Sequence, residues 1–195
     1  RFADRTAELL RRLEAEPGFA GASVATSFPG NGWSREIEVE GGSARGGTAL
    51  ETEAVMNSVG ANIFEVLDVP IVAGRAFVEA DAAVGSTAAI VDRGFAERVL
   101  GGGAAVGRRF RLADTASAGG DPVPGPWLEV VGVVPAFTIE PGWGEADPKV
   151  YVPLRLAEVD GYLQLAVRTR GSSAPAVARR LTEIAAGVDP TLQLL

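Results

Sequence analysis

The sequence predicts an α+β fold in which an α/β layer built from both chain ends carries a β-rich insertion. Three observations predict it. A helical pattern followed by a strand opens the chain, a strand followed by a helical pattern closes it, and short strands broken by Gly and Pro fill the middle. The expected division is 1–59 and 156–195 for the layer and 60–155 for the insertion.

At the front, Phe2, Thr6, Leu9, Leu10 and Leu13 share one helical face, with Glu8 and Arg12 opposite, and Pro17-Gly18 stops the helix. A small-residue strand follows over 21–27, then a turn at Pro29-Gly30-Asn31-Gly32. From Trp33 to Glu40 the residues alternate, with Ser34, Glu36, Glu38 and Glu40 forming an acidic outer face. Glycines at 41–42 and 46–47 frame a turn into a strand over 48–59. Ile63, Phe64 and Leu67 make a brief helix that must end before Pro70, because a residue preceding proline disfavours helical backbone. Residues 87–91 read as a buried strand, and Asp92 is placed to cap a helix bearing Phe95, Ala96, Val99 and Leu100. The triple glycine 101–103 ends that helix. Strands are expected over 107–112, 127–134 and 149–154, separated by loops at 113–126 and 135–148. At the back, Leu163, Leu165 and Val167 mark a one-faced strand. Val177, Leu181, Ile184 and Val188 mark a helix started near Ser173 and Pro175.

Composition excludes more chemistry than it asserts. Apolar residues are 47% of the 195, enough for a real core, yet the longest apolar runs fall far short of the about 20 residues that a spanning helix needs. Starting at Arg1 inside a helical pattern, the chain reads as a piece of something longer. A net charge of −7 argues against phosphate-backbone binding, so no nucleic-acid partner is expected. The one basic run, Arg108-Arg109-Phe110-Arg111, splits between the two faces of a strand and reads as salt-bridged. Histidine and cysteine are absent, which removes the commonest general base, the commonest transition-metal ligand and all thiol chemistry.

The remaining motifs favour structure over chemistry. Gly101, Gly103 and Gly107 miss the dinucleotide spacing by one residue and follow a helix rather than a strand. The acidic pairs Glu51/Glu53, Glu79/Asp81 and Glu140/Glu145 read as surface acids, and none sits in a dense calcium-type loop. Ser23, Ser27, Ser34 and Ser58 have no histidine to activate them, and Lys149, the one lysine, lacks an S-x-x-K context. No catalytic residue, cofactor or metal is therefore expected. Phe137 and Trp143, in the Gly/Pro-rich loop 135–148, are the candidate partner contacts; the alternative is that they tuck back and pin the loop.

An ordered series of short motifs adds a resemblance. Residues 57–70, running from Asn57-Ser58-Val59-Gly60 to Leu67-Asp68-Val69-Pro70, resemble the "V-S-x-x-Y-F-x-x-L-G-I-P" segment of MacB-like periplasmic core domains. Gly74-Arg75-Ala76-Phe77 is similar to that family's "G-R-x-F", and Glu79-Ala80-Asp81 to its "E-x-D". Ala89 to Asp92 with Phe95-Ala96, Val106 to Phe110, Glu129 to Val134 and Val150 to Leu154 continue the series in order. Departures are Asp68 at the usual glycine, Asp92-Arg93 at the usual Asn-Glu, and the triple glycine 101–103. The resemblance implies a non-catalytic extracytoplasmic domain between the first two membrane helices of a MacB/FtsX-type ABC-transporter permease. It implies a porter-like layer with a sabre-like insertion, and a periplasmic location on an inner-membrane protein. The implied partners are the cognate ATPase reached through the full permease, a second permease copy, and a membrane-fusion adaptor or other periplasmic protein. Efflux, lipoprotein movement and control of cell-wall hydrolases are the implied roles of such transporters. Two further readings are a periplasmic protein that captures a ligand in a cleft between two subdomains and a carboxylate hydrolase.

Overall fold

A computed structural model describes residues 1–28, 33–41, 53–113, 123–137, 147–159, 161–171 and 174–191, with the side chain of Trp33 excepted. The expected turn at 29–32, residues 42–47 of the next turn, residues 48–52 of the strand expected over 48–59, and most of the loops 113–126 and 135–148 lie outside these residues.

The order of elements follows the sequence pattern closely. Helix α1 (Phe2–Glu14) leads to β1 (Phe19–Ala25), β2 (Trp33–Val39), β3 (Glu53–Val59) and the one-turn helix α2 (Ile63–Val66). A two-residue strand β4 (Ala73–Gly74) precedes β5 (Ala88–Asp92) and α3 (Arg93–Arg98). Strands β6 (Arg109–Leu112), β7 (Leu128–Val134), β8 (Lys149–Pro153) and β9 (Gln164–Thr169) lead to helix α4 (Ala174–Val188). The α+β class stands. Asp92 caps α3 as expected, accepting the Phe95 N–H at 2.7 Å. Gly101, Gly102 and Gly103 all take left-handed backbone and stop the helix.

Topology adds what periodicity cannot show. Six strands close a circuit: β2 pairs with β6, β6 with β7, β7 with β5, β5 with β8, β8 with β3, and β3 back to β2. The β5–β7 and β3–β8 pairs are parallel and the rest antiparallel. Every ring strand sends a side chain into one shared core: Ile37, Ala54, Val91, Phe110, Val130 and Val150. Phe95 of α3 packs on Phe110 with ring centroids 4.9 Å apart and closes one end. A ring this small is filled by side chains and leaves no channel.

The two chain ends form a layer beside the ring. β1 and β9 run antiparallel from Phe19 opposite Thr169 to Ala25 opposite Gln164. Leu9 and Leu13 of α1, Ile184 and Ala185 of α4, and Phe19 and Ala22 of β1 bury one face of that pair. The first turn of α1 meets the end of α4 through Arg5 and Asp189, 2.6 Å apart. Residues 33–59, expected in the layer, are hydrogen-bonded through β2 to β6 and through β3 to β8.

β4 was not expected, and its cause is a backbone crossing. Ala73 and Gly74 pair with Val133 and Gly132 of β7. A Cβ on Gly74 would lie 2.2 Å from the Val131 carbonyl oxygen, and one on Gly132 would lie 2.3 Å from that of Arg75. Gly74 also has a φ of +73°. Only glycine at both positions lets the strands approach this closely.

Asp68 has a φ of +60° and ends α2 in a Schellman turn: its N–H donates to the Glu65 carbonyl at 3.1 Å, and that of Val69 to Phe64 at 2.8 Å. An L side chain is strained in this conformation, and its ion pair with Arg168 (3.2 Å) is too exposed to offset much. Asp68→Gly is expected to raise stability by about 0.5–1 kcal/mol in urea unfolding. A loss of stability would mean that the Arg168 pair outweighs the backbone strain.

Candidate functional site at the foot of the 135–148 loop

The loop 135–148 leaves β7 and returns at β8, strands that do not pair with each other but flank β5. Both of its described feet rest on the outer face of the ring. Phe137 is half-buried, stacked on Tyr151 at 6.0 Å with an interplanar angle of 16°, and edge-on to Phe64 at 6.4 Å. Phe64 in turn meets Tyr151 at 5.1 Å and 90°, and Phe77 at 6.3 Å. Four aromatic rings thus fill the space between α2 and β8. The structure therefore places Phe137, one of the two candidate contacts, against the core. Trp143, the other, lies outside the described residues.

Beside these rings is a buried ion pair. Asp92 and Lys149 are 1% and 0% exposed, and Lys149 Nζ lies 4.0 Å from Asp92 Oδ2. Asp92 Oδ1 accepts two main-chain bonds, from Phe95 N–H at the start of α3 and from Lys149 N–H (3.0 Å) at the start of β8. Lys149 Nζ donates to the Asp147 carbonyl at 3.1 Å. One carboxylate thereby joins β5, α3 and the returning foot of the loop. Burial holds the Asp92 carboxyl above its usual range, against the opposing pull of the two N–H donors, Lys149 and Arg98. Burial, with the Asp92 charge nearby, pushes the Tyr151 phenol well above its ordinary value. The Tyr151 hydroxyl has no hydrogen-bond partner among the described residues. Sequence reasoning gave Asp92 a capping role and found no context for Lys149; only the β5–β8 pairing brings them together.

Several of the other residues that the sequence singled out have structural partners; Ser23, whose buried hydroxyl has none among the described residues, is an exception. Asp81 grips Arg75 with both oxygens (2.6 and 3.0 Å) and accepts the Val78 N–H, and the guanidinium holds its carboxyl below the usual range. Glu79 begins the same 3-10 turn, and Glu51, Glu140 and Glu145 lie outside the described residues. In the basic run, Arg109 bonds Glu40 at 2.9 Å, Arg111 bonds Glu38 at 2.7 Å, and Arg108 donates to the Leu100 carbonyl. Arg109 and Arg111 lie over the Trp127 ring, at 5.7 and 4.5 Å. Ser34 donates to Glu53, and Thr26 Oγ1 accepts the Ser58 N–H. No cluster of three or more acidic residues able to hold a metal occurs among the described residues.

Comparison with known structures defines the class. The fold is similar to the periplasmic region of MacB from Actinobacillus actinomycetemcomitans, with a TM-score of 0.62 at 15% identity over 93% of this chain and 73% of that one. It is similar also to a permease-protein domain from Porphyromonas gingivalis, with a TM-score of 0.60 at 18% identity over 92% of this chain and 69% of that one. The extracellular domain of the noncanonical ABC-type transporter YknZ from Gram-positive bacteria gives 0.55 at 19% identity, over 93% and 80%. At these identities the likeness is one of fold. The model of the MacB-like periplasmic core domain matches residues 2–184, and the chain belongs to that family. A sequence search among curated proteins gives no match. Among the described residues, no helix is long and apolar enough to cross a membrane.

Proposed function

We propose that the chain is the non-catalytic, periplasmic domain of a MacB/FtsX-type permease, coupling ATP-driven motion of the membrane part to substrate export or to partner proteins. The observation that carries this reading is the family match across nearly the whole chain. The adjacency of the start of α1 and the end of α4 supports it, since both connections to the rest of a permease then leave from one place. The partners in this reading are the cognate ATPase, acting through the permease, a second permease copy, and an adaptor or other periplasmic protein. We further propose a porter-like layer built from the two chain ends with a sabre-like insertion, the insertion starting at β2 rather than at the expected residue 60. The β1–β9 pairing supports joining the two ends, and the ring pairings of β2 and β3 tie 33–59 to the insertion.

Within this reading, the loop 135–148 is the partner-facing element. Its length exceeds the usual connection of about 4–6 residues. Its foot is fixed by Phe137, which leaves Trp143 as the candidate contact. Trp143→Ala is expected to lower transport by the intact permease while leaving the melting temperature of the isolated domain nearly unchanged. Phe137→Ala is expected to cost about 2–3 kcal/mol, less than a fully buried ring. A large fall in melting temperature for Trp143→Ala would defeat the docking role. A second reading, capture of a small ligand, draws on one observation: an open groove of about 680 Å³ beside α1, β9 and α4, lined by Phe2, Leu9, Val24, Phe28 and Leu165, which lies within the end-formed layer rather than in a cleft between two subdomains.

A further inference from the structure

We propose that the seam between the end-formed layer and the six-strand ring is a pivot, and that α2 is the surface on which the layer turns. Among the described residues the layer's strands join the ring at one place, where β1 meets β3 with Ala25 opposite Val59. Two main-chain bonds hold that junction, Thr26 N–H to Ser58 and Gly60 N–H to Val24, and side chains at its end add Ser58 N–H to Thr26 Oγ1 and Asn57 Nδ2 to Ser27 Oγ. Every other strand-to-strand link of β1 and β9 is within the layer itself. Two strands held by so short a ladder can change their mutual angle at small cost, unlike the closed ring, whose strands are each held on both sides.

Helix α2 sits under this junction and belongs mechanically to the ring. Phe64 is locked among Phe77, Tyr151 and Phe137, and Val72, bonded to the Val133 carbonyl, continues the chain onto the ring. Towards the layer, α2 offers a different kind of contact. The layer's side of this contact consists of small residues: Gly21, Ser23 and Ala25 on alternate positions of β1, and Ala166 of β9. These positions carry no large knob to interlock with Ile63 and Val66, and Phe28 packs against the same cluster from the end of β1, so sliding requires little repacking. Ser23 Oγ is buried on this face with no hydrogen-bond partner among the described residues, which weakens the contact further. The ties across it are polar and few. Asn62 Nδ2 donates to the Ala22 carbonyl at 3.0 Å, Arg168 donates to the Glu65 carbonyl at 3.1 Å, and Arg168 pairs with Asp68 at 3.2 Å. The 3-10 turn Leu156–Glu158, which carries the chain from β8 back towards β9, also packs on α1.

The use of this motion in transport rests on the permease reading; the pivot does not. The chain has no cysteine, so introduced thiols are unique. Spin labels at Arg35→Cys on the ring and Ala178→Cys on the layer measure the angle in the isolated chain. A broad or two-peaked distance distribution is expected, broadening further in Asn62→Ala with Arg168→Ala. A single narrow distance, unchanged by those two substitutions, overturns the pivot. A clamp provides the second arm. A Cβ at Gly21 falls 3.2 Å from Val66 Cγ2, so Gly21→Cys with Val66→Cys is within disulfide reach. Oxidation of that pair in the reconstituted permease and its ATPase is expected to lower ATP turnover by about fivefold or more, with recovery on reduction. If the labelled chain moves but the clamped transporter turns over normally, the pivot stands and the transmission role is overturned.

Discussion

Lys149→Met is expected to be among the most damaging single substitutions in this domain, costing about 3–5 kcal/mol at neutral pH. The size follows from burial rather than from the strength of the pair. Both charges are nearly inaccessible, and removing the ammonium leaves the Asp92 carboxylate charged in the interior without the partner 4.0 Å away. The pH dependence gives the mechanism a signature. Asp92 already binds its proton more tightly in the fold than an ordinary aspartate does, so its contribution is fully present below its unfolded pKa and is lost as pH rises through its folded pKa. In the variant that folded pKa moves higher still. The deficit relative to wild type should therefore shrink as pH is lowered from neutral. Glu8, held down to about 2 by Arg11 and Arg12, and Asp81 and Asp189, also lowered, run the opposite way. Their stabilising effect is lost on acidification, but equally in both proteins, so the difference isolates Asp92. Adding Asp92→Asn retains an oxygen for the Phe95 and Lys149 N–H groups and removes the stranded charge. The double variant should recover to within about 1–2 kcal/mol of wild type. Urea unfolding of the four proteins across pH checks the whole cycle. A deficit that stays constant with pH would remove Asp92 from the explanation.

Phe64→Ala is expected to cost about 3–5 kcal/mol, and its effect should reach beyond its own cavity. Phe64 is 3% exposed and touches three other aromatic rings, two of them edge-on. Truncation removes the edge-on partner of Phe137, so the near side of the loop foot loses one of its two ring contacts. Hydrogen exchange around residues 134–137 should therefore rise in Phe64→Ala, whereas Phe64→Leu should cost about 1–1.5 kcal/mol and largely preserve protection. Equal exchange in Phe64→Ala and wild type would show that Tyr151 alone fixes the foot.

Much of the fold could be read from residue patterns because each such element satisfies a local rule. Helices α1 and α4 show a clean apolar stripe, β2 and β9 alternate, and Asp92 caps α3 where an acceptor was expected. β4 escaped because two residues make no period, and its determinant is a contact between Gly74 and Gly132, distant in the chain. The candidate site was legible only in part. An aromatic in a Gly/Pro-rich loop signals either docking or pinning, and which one Phe137 adopts depends on whether a groove lies within reach. The Phe64–Tyr151 groove does.

The sequence by itself determined the class of fold, the positions of most helices and strands, and, through the lack of histidine and cysteine, much of the chemistry outside this protein's reach. These are local or compositional properties, decided within a few residues of each position. Only the tertiary structure decided that six strands close into a ring, that among the described residues β1 is the layer strand that pairs with it, and that Lys149 faces Asp92. Strand partners are chosen by the total burial that a pairing achieves across the whole chain. The same alternating pattern serves an open sheet or a closed one equally well.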